Sequence, residues 1–159
     1  MFVNILRKIT EVQFFALVAL LVAVESLLVF AGVLPPMVES NIGHSILFFL
    51  RMAVFLGFAW TLVGKPILHT LMKGGIIALV GAVTQIIFIF IGKTMGLVLL
   101  GIATPSDLIL YIVLLLSTIV SVLFGAVIVS TAAWIFAQMI PTSVKKSAET
   151  TTKIKRRKR

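Results

Sequence analysis

Apolar residues in this chain run in four long blocks, separated by short stretches where prolines, glycines and charges gather. The first block covers 14–34 and stops at Pro35-Pro36. The second covers 46–63 and stops at Gly64-Lys65-Pro66. The third begins at 76 and stays strongly apolar until Gly92-Lys93 interrupts it. The fourth lies within 108–140 and stops at Pro141. Each block is near or above the roughly 17–25 residues with which a helix crosses a bilayer. Proline closes three of them because it lacks an amide hydrogen and disfavours helix in the residue before it. The pattern predicts an all-α integral membrane fold, a bundle of four transmembrane helices at 14–34, 46–63, 76–92 and 108–140.

The segments between the blocks are less regular. Residues 1–13 read as an amphipathic lead-in, with Arg7, Lys8 and Glu11 among apolar positions. The block that follows is too long for the apolar core of a signal peptide and lacks a small-x-small cleavage site, so it reads as a retained helix. The loop 35–45 holds Glu39, Asn41 and His44, and the loop 65–75 holds Lys65, His69 and Lys73. The apolar piece 97–103 is too short to cross a membrane alone. It extends the third helix to 103 or forms a short re-entrant segment, and the extension is the expectation. As one helix the fourth block would be about 50 Å long, so it must tilt, protrude or kink. Ser106 or Asp107 is a natural N-cap for it.

Composition strengthens this picture. Of 159 residues, 60% are hydrophobic and 12% charged, with a mean hydropathy of +1.21. Soluble domains have about 25% charged residues. No cysteine is present, which excludes disulfides, iron–sulfur clusters and thiolate metal sites. His44 and His69 fall in loops at opposite ends of the bundle and read as ordinary loop residues. The apolar blocks hold no histidine, which argues against a b-type haem. With no nucleophile, phosphate-loop or metal motif, neither an enzyme nor a cofactor is expected.

The net charge of +9 comes largely from a tail, 142–159, expected to be disordered. Its basic residues Lys153, Lys155, Arg156, Arg157, Lys158 and Arg159 are candidates for contact with anionic lipid, at about 1 kcal/mol each near the surface. They lack interleaved aromatics, so specific nucleic-acid recognition is not expected. Four spans put both termini on one side, together with Arg7, Lys8, Lys65, Lys73, Lys145 and Lys146. The excess of positive charge predicts that this side is cytoplasmic and that the protein is a multi-pass component of the cell membrane.

Three polar residues interrupt the blocks. Glu25 lies about nine residues, roughly 14 Å, from the far end of the first, and Arg51 about six residues, roughly 9 Å, from the start of the second. Consecutive antiparallel helices are neighbours, so an extended arginine can reach the carboxylate. The pair then locks the hairpin, or Glu25 binds a cation or moves a proton. Gln85 sits in the third block, where an amide usually makes an interhelical hydrogen bond. Small residues repeat every four positions: Gly74, Ala78 and Ala82 in the third block, Ser117, Ser121 and Gly125 in the fourth. Such faces let helices approach closely, within a bundle or between subunits.

The segment Ala23-Val24-Glu25-Ser26-Leu27-Leu28 can be laid on Ala82-Val83-Thr84-Gln85-Ile86-Ile87, and Val54-Phe55-Leu56-Gly57 on Val122-Leu123-Phe124-Gly125. A duplicated hairpin of this kind would align the polar positions of the two halves. A glutamate in the first of four helices is also similar to the small multidrug-resistance transporters. The likeness stops there, since this chain is longer, has the Pro35-Pro36 loop and carries no flanking motif. Two functions are expected. One is a non-catalytic subunit or scaffold that packs as a homo-oligomer or with other membrane subunits. The other is an ion- or solute-transporter component that uses Glu25.

Overall fold

A computed structural model describes residues 11–37, 39, 41–97 and 107–139. They form four helices: α1 (Glu11–Phe30), α2 (Ile42–Thr61), α3 (Ile67–Thr94) and α4 (Asp107–Met139). All four are long and apolar enough to cross a membrane. The basic tail and the segment 98–106, including Ser106, lie outside the described residues.

The helices stand in a ring in the order α1, α2, α4, α3, with the most extensive contact between α3 and α4. The N-terminal end of α1 lies beside the start of α3, where the Glu11 carboxylate accepts from Lys73 Nζ at 2.5 Å. We call this the termini end. The other, distal end carries the α1–α2 loop and the C-terminus of α3. Large apolar side chains such as Leu115, Leu116 and Leu123 point outward all along the bundle, because lipid rather than water surrounds it.

Helix bounds differ from the hydropathy blocks for identifiable reasons. At the distal end α1 stops at Phe30, not at 34. Gly32 adopts φ +72°, its N–H bonds to Val29 O, and Val33 N–H bonds to Leu28 O. This is the paired closure that glycine makes at a helix C-terminus, and the prolines follow only afterwards. The same closure ends α3: Gly96 (φ +69°) bonds to Lys93 O and Leu97 bonds to Gly92 O. The helix therefore does not continue to 103 as expected. α2 begins at Ile42 rather than 46, because Asn41 caps it by accepting from Gly43 N–H at 2.7 Å. α3 begins at Ile67, directly after Pro66, so the expected loop 65–75 is mostly helix. Proline is well suited to a helix start, where no intrahelical partner is needed.

Two apolar clusters pack the interior. The one at the termini end holds Phe14, Val18, Phe58, Ile77 and Val129, all 3% exposed or less. The distal cluster holds Ile89, Leu110 and Leu114, with Val29, Phe30 and Met37 against it, and contains no residue of α2. Indeed α2 buries only Phe58 and Ala59 along its length. Its distal half stands away from the core.

The seam between α3 and α4 is the tightest contact. A Cβ on Gly74 would lie 2.8 Å from both Gly125 O and Val129 Cβ, and a Cβ on Gly125 would collide with Ala78. Close by, Thr70 donates to Ser130 Oγ at 3.2 Å, both side chains buried. Three of the expected packing residues, Gly74, Ala78 and Gly125, thus meet across this seam. Gly74→Ala is expected to cost about 1–3 kcal/mol and to lower the unfolding temperature in detergent by several degrees. Gly75→Ala should be near neutral, since its Cβ would meet nothing nearer than Val122 Cγ1 at 3.4 Å, an ordinary van der Waals contact. Equal melting of the two variants would remove the seam as the cause.

Candidate functional site

Glu25 lies five residues before the end of α1, about 7.5 Å along the axis, and Arg51 nine residues, about 14 Å, into α2. The relative depths are the reverse of those expected, because both helices begin or end earlier than their blocks. The residues still meet: Arg51 Nη2 donates to Glu25 Oε2 at 2.6 Å. Glu25 is buried, at 4% exposure. A carboxylate there needs charge and hydrogen bonds to offset the loss of water, and Arg51 supplies both.

Arg51 is not the sole partner. His44 lies in the first turn of α2, not in a loop, and its Nδ1 sits 2.7 Å from Glu25 Oε1. Its Nε2 lies 3.0 Å from the carbonyl oxygen of Pro35. A carbonyl only accepts, so Nε2 carries a hydrogen. The other ring nitrogen of a neutral imidazole is then an acceptor, as is a carboxylate oxygen. Both of the ring's contacts are thus to acceptor oxygens, Glu25 Oε1 and Pro35 O. Arg51 supplies the fixed positive charge of this group.

This cluster borders a cavity of about 450 Å³ at the distal end, between α1, α2 and α3. Glu25, His44, Ser45, Arg51 and Gln85 face it, with Phe48 and Phe49 on its apolar side. It exists because α2 stands off the core here. Gln85 does not bond to another helix as expected. Its Nε2 reaches Met37 Sδ in the α1–α2 loop at 3.4 Å, a weak acceptor. Glu25 and Gln85 do share the cavity, so the three polar residues singled out in the blocks come together. Gln85 also lines two smaller spaces, one of about 150 Å³ shared with Arg51 and one of about 50 Å³.

The remaining candidates separate. Ala82 and Ser121 border the two smaller spaces, while Ser117 is exposed and lines only the smallest. Thr84 bonds back to Val80 O within its own helix. His69 is exposed near the start of α3, at the opposite end from His44. The lipid-contact residues Lys153, Lys155, Arg156, Arg157, Lys158 and Arg159 lie outside the described residues. His44 is the residue of this candidate site that hydropathy misses. The signal for it is Asn41, a helix-capping residue type three positions earlier.

Glu25→Gln is expected to destabilise the protein by roughly 3–5 kcal/mol, the cost of leaving one member of a buried pair unmatched. Adding Arg51→Gln should cost less than the sum of the two single changes, as read from unfolding in detergent. Strict additivity would deny the coupling. Nitrogen-15 NMR of labelled histidine should show His44 Nε2 protonated; an unprotonated Nε2 would contradict its bond to Pro35.

No family model matches the sequence, and no curated protein or solved structure matches it significantly. The functional reading of this four-span membrane protein therefore rests on its own geometry.

Proposed function

We propose that the protein is a non-catalytic subunit or scaffold of a larger membrane assembly. The observation that carries this reading is the engagement of Glu25 on both of its oxygens. Both carboxylate oxygens are held inside the chain, by His44 and by Arg51, at 2.7 and 2.6 Å. A carboxylate so held serves as a staple for the α1–α2 hairpin. A route through the bundle from the distal cavity would also have to part Phe14, Phe58, Ile77 and Val129, which are closely packed. The distal half of α2, with Phe48 and Phe49 exposed, is free of the bundle's own core and available to a second copy or another membrane subunit.

In this reading the termini end faces the cytoplasm of a cell membrane. Lys65 follows α2 at that end, and Lys73 lies near the start of α3. Arg7, Lys8, Lys145, Lys146 and the basic tail belong to the same side by sequence, as the positive-inside rule requires. The tail then lies against anionic headgroups.

One observation favours the second reading, a solute- or ion-transporter component. Gln85 borders three spaces that reach from the distal end towards the middle of the bundle. The two readings separate on one preparation. The protein is extracted from its native membrane in mild detergent, and the particle's mass and polypeptides are determined. A stoichiometric complex with other membrane proteins, lost or reduced by Glu25→Gln, is the expected result. A particle of this chain alone, with liposome flux that Glu25→Gln abolishes, would replace the subunit reading by the transporter one.

A further inference from the structure

We infer that the distal cavity is a binding site for an amphipathic anion: a carboxylate or phosphate head carried on an acyl chain. The inference is independent of whether the protein works alone or in an assembly.

The head-group end follows from charge and donor accounting. Each oxygen of Glu25 is already engaged within the chain, one by His44 and one by Arg51. Arg51 hydrogen-bonds through Nη2 alone among the described residues, and its Nε is buried without a partner. A guanidinium has five N–H donors, so most of its capacity is unused. The guanidinium thus stands with a fixed positive charge beside this space. Two neutral donors face the same cavity with weak internal partners: Ser45 Oγ, 3.3 Å from Asn41 O, and the Gln85 amide, 3.4 Å from Met37 Sδ. A guanidinium with unused donors, beside the Ser45 hydroxyl and the Gln85 amide, suits a single anionic group, and Arg51 can meet it bidentately.

The acyl part follows from the second space. A cavity of about 150 Å³ shares Phe48, Arg51 and Gln85 with the first, and its other walls include Val22, Met52, Phe55 and Phe124. The cation therefore stands at the boundary between a polar chamber and an apolar one. An inorganic anion would leave the apolar chamber unused, and a neutral lipid would leave the charge unmatched. A chain longer than this chamber can continue over Ile46 and Phe49, which α2 leaves exposed.

The test uses the full chain in phosphatidylcholine nanodiscs that contain a minor fraction of oleate, with native mass spectrometry counting the molecules retained. One oleate per protein is expected, and oleyl alcohol, which has the chain without the charge, should not be retained. Phosphatidic acid in place of oleate tests the phosphate head. Retention of phosphatidic acid but not of a short-chain soluble phosphate would assign the ligand to the bilayer; retention of both would assign it to any amphipathic phosphate. Either supports the site. The double change Glu25→Gln with Arg51→Gln removes the guanidinium that would hold the head group, together with the carboxylate that pairs with it, and should weaken retention by about tenfold or more. Gln85→Leu leaves the charged cluster intact and should weaken it by a smaller factor. Retention of oleyl alcohol equal to that of oleate, unchanged retention in both variants, or complete displacement of oleate by inorganic phosphate would each overturn the inference.

Discussion

The burial of one carboxyl group governs this structure. In hydrocarbon, an ionised side chain without a partner costs several kcal/mol even on forgiving scales. Everything near Glu25 can be read as the answer to that cost. Arg51 must stand at the depth that reaches it, which sets how α2 lies against α1. His44 must sit in the first turn of α2, which sets where that helix begins. The α1–α2 loop must fold back so that Pro35 offers its carbonyl to the same imidazole. A single charge in α1 thus fixes the start and lateral position of the next helix, and the path of the chain between them.

The other half of the bundle is held by different means. Between α3 and α4 the interaction is steric fit, with Gly74 and Gly125 nearly touching through their backbones. Without a hydrophobic drive between helices in lipid, such contact is a principal source of association. The two solutions explain the asymmetry of the interior. Close packing leaves α3 and α4 sealed together, whereas a charge network needs only a few well-placed atoms and leaves space around them. The cavity lies beside the network for that reason.

The four spans were legible in the sequence because hydrocarbon demands long apolar helices. The Glu25–Arg51 contact was legible because a short loop makes neighbours of consecutive helices. Three things were hidden. His44 was hidden by a loop boundary drawn on hydropathy, although Asn41 marks the true helix start. The beginning of α3 was hidden because His69 and Lys73 are polar, and hydropathy registers lipid rather than hydrogen bonding. The end of α3 was hidden because Gly96 acts through its backbone conformation and not through polarity. The small-residue repeats showed which positions share a face but not which neighbour they meet. Gly125 turns out to face α3, while Ser117, on the same repeat, is exposed. Separation along the chain carries no information of that kind.

The arrangement of the charged pair has a consequence for biosynthesis. Glu25 precedes Arg51 by 26 residues, and chains grow at about 5–20 residues per second, so the acid emerges roughly one to five seconds before its counter-charge. During that interval α1 has no internal partner for its carboxyl group. Entry of α1 and α2 into the bilayer as a joined hairpin removes the difficulty, since acid, arginine and histidine then cross the interface together. The Pro35-Pro36 turn, with two residues of fixed φ, shortens the search that brings them into register. Inserted in one step, the first hairpin would offer α3 and α4 a unit whose buried carboxylate already has its partners.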